Sequence, residues 1–202
     1  MNATVTRTIS IRGLPIYYRV VRPERPVRHR VLLLCAPGFP TSCWRLILPE
    51  LLRADCMCVI CEMPGFGHSK FPNDVPIDPD LRARYVWGVL DDVDLNERAD
   101  WLNGWHLMAH GSAAATVIRM ALQQPDYAAS LFLLSPVFGM PAGLMPRPLL
   151  KSGAGRWALR RWLEANILND KGFDRIVRRI YGCAPVRTQR DRLQMLPIQA
   201  AA

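Results

Sequence analysis

The stretch from Trp105 to Pro125 limits the architectures open to this chain more than any other. It reads as a short buried strand over residues 105–108, a tight turn over 109–113, and a helix from Ala113 to about Gln124 that Pro125 stops. An alanine-rich run directly after a strand lets a helix backbone pack close to a sheet. The small residues Ala109 and Ala113 on either side of Gly111 relieve a sharp strand-to-helix corner.

The flanking sequence repeats the same alternation. Residues 5–11 and 16–21 are β-rich and separated by Arg12, Gly13, Leu14 and Pro15, which predicts an antiparallel hairpin. Residues 31–35 and 56–61 are apolar runs without a polar interruption, the pattern of strands covered on both faces of a parallel sheet. Between them, residues 43–54 carry Trp44, Ile47, Leu48, Leu51 and Leu52 at helical spacing. Residues 80–102 read as one long or two shorter amphipathic helices, and residues 131–134 as one more strand. Strands alternating with helices from 31 to 134 predict an α/β fold with a mostly parallel sheet behind an antiparallel hairpin. Past Pro136 the period changes: a proline-rich linker over 140–148 leads to amphipathic helical runs over 157–167 and 173–181. The expected organisation is a core over 1–138 and a helical, cap-like segment over 139–202.

With 202 residues, 50% apolar and 21% charged, the chain has the balance of a globular domain with a sizeable core. Its net charge of +9 is concentrated late, because residues 147–192 hold 12 Lys and Arg against 4 Asp and Glu. That run reads as a solvated helical face; without aromatic stacking residues or a binding motif, nucleic acid is not an expected partner. Six cysteines at 35, 43, 56, 58, 61 and 183 read as reduced core thiols. The cluster at 56, 58 and 61 lacks zinc-site spacing, so neither a metal nor any other cofactor is expected. Residues 1–10 are polar and resemble no signal peptide, and no apolar run reaches the roughly 20 residues of a membrane span. A cytoplasmic location is the expectation.

Three blocks, in this order, resemble the α/β-hydrolase family, especially the branch of haloalkane dehalogenases, epoxide hydrolases and cap-bearing esterases. The first is Gly38, Phe39, Pro40, Thr41 and Ser42 with Trp44, similar to a loop whose backbone N–H groups help form an oxyanion hole. The second is Pro64, Gly65, Phe66, Gly67, His68 and Ser69, with Pro72 following. The third is the corner at Gly111, a nucleophile elbow by resemblance, with Pro125 fourteen residues beyond and a later strand ending in Ser135 and Pro136.

The resemblance also implies where chemistry departs from the family. Pro37 stands where the family has a histidine, and Glu62 where it usually has an aspartate. Counting back from Pro125 puts Gly111 at the nucleophile position, and glycine has no side chain to attack with. Ser112 is one residue late; as the apex it would have the bulky His110 as a neighbour. In the unshifted register its N–H takes the oxyanion-hole place beside Gly38 and Phe39, while His110, Trp44 and Pro37 are candidate pocket residues. The chain's 4 histidines are at 29, 68, 106 and 110, so none follows the elbow within these 202 residues, where the family places its triad histidine. The expectation is the front of a hydrolase plus its cap, with the last strands of the fold absent. Such a protein is inactive or vestigial, a small-molecule-binding or interaction scaffold, with a second copy or a partner covering the open sheet edge. The alternative is an active serine hydrolase on an ester or acyl substrate using Ser112.

Overall fold

The predicted hairpin forms from strand β1 (Thr4–Ile11) and strand β2 (Leu14–Val21), antiparallel about a two-residue turn at Arg12 and Gly13. The computed structural model describes residues 3–37, 39, 41–72, 78–97, 103–138, 152–155, 157, 158 and 161. After the hairpin come β3 (His29–Leu34), β4 (Cys56–Cys61), β5 (Trp105–His110) and β6 (Ala128–Leu134). The six strands lie in the order β1-β2-β4-β3-β5-β6. β2 meets β4 antiparallel, and β4, β3, β5 and β6 run parallel to one another, as the apolar runs predict.

Helices cover both faces of the sheet. Helix α2 (Pro79–Glu97) and helix α3 (Ala114–Gln123) bury Val86, Val89, Leu90, Val117 and Met120 against Leu32, Leu34, Val59, Trp105 and Leu107. Asp78 begins α2, its Oδ1 accepting the Leu81 N–H at 2.7 Å, with Pro79 in the first turn where a missing N–H costs no hydrogen bond. On the other face, helix α1 (Leu48–Arg53) packs Leu52 with Trp44 over Val31, Leu33, Cys58 and Ile60. From Arg30 on, residues of β3 and all of β4 are thus buried whichever way they point.

Local differences from the sequence reading have local causes. The helix expected over 43–54 is divided into a 3-10 turn, Thr41–Trp44, and α1, because Pro49 has no N–H for a helix begun at Cys43 and is accommodated in the first turn of a new one. β5 runs on through His110, since Leu134 of β6 pairs with it. β6 begins at Ala128, directly after a 3-10 turn at Pro125–Tyr127, with an irregularity in its register between Trp105 and His106. Helix α2 accounts for the 80–102 run through Glu97. Residues 98–102, the 140–148 linker, and both helical runs past residue 161 lie outside the described residues. The chain divides into two units at Phe138/Gly139. No described helix is long and apolar enough to cross a membrane.

Arg30 is a charged residue inside the core, 4% exposed on β3. Its Nη1 donates to Asp94 Oδ1 of α2 at 2.7 Å, its Nη2 donates to the Asn103 carbonyl, and the guanidinium lies 4.8 Å from the Trp105 ring centre. The Trp105 indole N–H donates to the other Asp94 oxygen at 3.2 Å. One carboxylate therefore serves two buried donors and ties α2 to β3 and β5. Asp94→Ala is expected to destabilise the fold by about 3 kcal/mol, because it strands a buried cation. Urea denaturation measures this directly, with exposed Asp126→Ala as the near-neutral control.

Candidate active site

Parallel pairing brings two loops together at one end of the sheet. Leu34 of β3 is in register with Ala109 of β5, so residues 35–44 and the β5–α3 corner leave the sheet side by side. Ala36 borders the corner, and a Cβ built on Gly111 would lie 3.7 Å from the Ala36 methyl.

The corner itself is a 3-10 turn, Gly111–Ala113, leading into α3. His110 is still extended, with φ −114° and ψ 139°, whereas Gly111 takes φ +60°. The single left-handed residue is the apex of the turn, and it is the glycine. The Gly111 carbonyl accepts the Ala114 N–H and, at 3.1 Å, the Val137 N–H, which fastens the segment after β6 to the corner. Ser112 lies one residue past the apex and is exposed. Among the described residues no hydrogen bond joins its hydroxyl to an imidazole.

The other expected residues divide into those at the corner and those beneath it. Phe39 is 40% exposed and meets the His110 ring edge-on, with centroids 5.1 Å apart. Its backbone N–H donates to the Ala36 carbonyl at 3.0 Å. His110 Nδ1 is buried without a hydrogen-bond partner among the described residues. Pro37 is half-buried in the turn after β3, and Gly38 lies outside the described residues. Trp44 is 2% exposed and belongs to the core beneath the loop. At the foot of this loop the Cys35 and Cys43 sulfurs are 3.9 Å apart. That contact raises the Cys35 thiol well above its ordinary range and lowers Cys43.

A second arrangement was not foreseen from the sequence as a unit. Glu62, 6% exposed after β4, accepts the His68 backbone N–H at 2.7 Å on Oε2, and its Oε1 lies 3.0 Å from His68 Nδ1. The imidazole stacks on Tyr17, with centroids 4.6 Å apart, and the Ser69 hydroxyl accepts the Tyr17 N–H at 2.8 Å. A buried carboxylate thus orients an exposed imidazole. The signal available was the spacing, since a glycine-rich turn after Glu62 returns residue 68 to its starting point.

Two of the left-handed glycines, Gly67 and Gly111, differ in what surrounds them. At Gly67, φ +57°, an added Cβ would lie 2.4 Å from Glu62 Oε2, whereas at Gly111 it would meet only a methyl at ordinary contact distance. Gly111→Ala is expected to cost about 1 kcal/mol, from backbone strain alone. Gly67→Ala should cost about 3 kcal/mol, because it also displaces a charge-assisted hydrogen bond. Paired urea titrations check the order of the two.

Comparison with known proteins places this geometry. A model of the alpha/beta hydrolase family matches residues 32–202. The chain is similar in sequence to 2-hydroxymuconate semialdehyde hydrolase of Pseudomonas sp. (strain CF600), 29% identical over 91 residues, covering 45% of this chain and 29% of that enzyme. In structure it is similar to a probable hydrolytic enzyme of Pseudomonas aeruginosa PAO1, with TM-score 0.71 at 15% identity, covering 96% of this chain and 59% of that one. It is also similar to epoxide hydrolase A of Mycobacterium thermoresistibile, with TM-score 0.54 at 22% identity, covering 81% and 46% respectively. The chain spans about a third of the curated relative's length and about half of each structure's. Structural likeness at such identities speaks for the fold alone. With the family model running from β3 to residue 202 and the sheet assembled as described, this chain belongs to the alpha/beta hydrolase family.

Proposed function

We propose that this chain uses the alpha/beta hydrolase scaffold without the covalent chemistry of a serine hydrolase, as a binding or interaction protein. The observation that carries the reading is Gly111 at φ +60°, the residue at the apex of the β5–α3 corner. An attacking oxygen or sulfur must project from that apex, and glycine projects nothing. Two further features support it. The Phe39 N–H, an expected oxyanion-hole donor, is already given to Ala36, and the oriented imidazole of His68 is engaged with Glu62 and Tyr17. Removing the nucleophile and its base from such a system leaves only roughly 10³ to 10⁴-fold acceleration over water, the part due to binding and the oxyanion hole.

One observation favours the alternative, an esterase or acyl hydrolase using Ser112: its hydroxyl is exposed, one residue from the apex. A fluorophosphonate probe separates the two readings. The expected result is no stoichiometric labelling; a covalent adduct on Ser112 overturns the proposal. Gly111→Ser is the complementary test, since the corner has room for its Cβ. That variant is expected to fold and still fail to turn over p-nitrophenyl esters beyond about 10⁴-fold over water, because His68 and His106 are engaged elsewhere and the His110 Nδ1 is buried.

A further inference from the structure

At the opposite end of the parallel strands, far from the corner in the register, three polar side chains meet that the proposed function does not use. His29 begins β3, His106 is the second residue of β5, and Ser130 lies on β6. Val31 pairs with His106 and His106 with Ser130, and His29 is two residues from Val31, so the three share one face of the sheet. His29 is exposed and His106 half-buried. His106 Nε2 lies 3.4 Å from His29 Nδ1, and His106 Nδ1 lies 2.8 Å from the Ser130 hydroxyl, with the two imidazole planes at 62°.

That separation suits a shared ion better than a shared proton. An N–H donor prefers an oxygen acceptor at about 2.9–3.0 Å, and at 3.4 Å this nitrogen pair is at the long end of any hydrogen bond. Two imidazole nitrogens each about 2.0–2.1 Å from a tetrahedral metal are about 3.3–3.4 Å apart. We propose that His29 Nδ1 and His106 Nε2 chelate one borderline divalent cation, Zn²⁺, Cu²⁺ or Ni²⁺, its other positions being open to water or an external donor. Imidazole nitrogen is a good ligand for these ions. Ser130 supplies the outer support: with His106 Nδ1–H donating to the Ser130 oxygen, the Nε2 lone pair faces His29.

The neighbourhood limits the ligand set to the pair. Among the described residues no group of three or more His, Cys, Asp or Glu gathers as a metal site. Cys56 is in register with His29, but its thiol is directed to the Ala54 carbonyl at 3.5 Å, and burial raises its pKa. The site is a two-point surface chelate, and its affinity should follow the order Cu²⁺ above Zn²⁺ and Ni²⁺.

The test is calorimetric titration of the whole chain with Zn²⁺ and with Cu²⁺, alongside imidazole resonances followed by NMR. One ion per chain is expected, with the His29 and His106 resonances shifting and those of His68 and His110 unmoved. His29→Ala and His106→Ala should each weaken binding at least tenfold, and Ser130→Ala about tenfold, the effect typical of an outer hydrogen-bond partner. His68→Ala and Cys56→Ser should bind as the parent does. The proposal is overturned if the parent chain takes up neither ion, if binding survives in the His29→Ala/His106→Ala double variant, or if the resonances that move belong to His68. The NMR readout needs no substitution, so misfolding of a variant does not obscure the result.

Discussion

Everything at the two ends of this molecule depends on how β3 and β5 lie against each other. Their strands are separated by some seventy residues of chain, yet they pair in parallel from Val31 with His106 to Leu34 with Ala109. Neighbouring parallel strands in fixed register begin at one level and end at another, so whatever precedes and follows them is brought together in pairs. At the far end that pairing sets Ala36 beside Gly111; at the near end it sets His29 beside His106. Asp94 holds the same two strands from α2 through Arg30 and Trp105, so the register is pinned by a buried ionic contact as well as by the ladder.

Much of this architecture was legible because its signals are local. Residues 31–35 and 56–61 are apolar throughout, and strands buried on both faces have no reason to alternate. Counting back from Pro125 selects Gly111 for the corner, with Ser112 as the one-residue alternative. The glycine with φ +60° is the residue that count selects.

What was not legible depends on contacts between distant segments. Helical spacing brought out Trp44 together with its apolar neighbours, but periodicity is the same for a side chain that lines a cleft and one that fills a core; Trp44 fills the core. The Glu62–His68 contact needs the three-dimensional path of a turn with two left-handed glycines, Gly65 and Gly67. The His29–His106 pair needs a strand register that no local pattern encodes. Pro49 divides the helix that the apolar stripe around it predicts.

The glycine at the apex has a consequence for the history of such a chain as well as its chemistry. In a working serine hydrolase the corresponding corner forces a side chain into a backbone conformation it disfavours, and the rest of the fold must be stable enough to hold it there. With Gly111 the corner is relaxed, and about 1 kcal/mol that would otherwise be stored there offsets unfavourable substitutions elsewhere. A scaffold without a strained residue at that corner tolerates more change in its loops while keeping its sheet. A side chain installed at Gly111 would put that strain back, and the rest of the sheet would have to hold it.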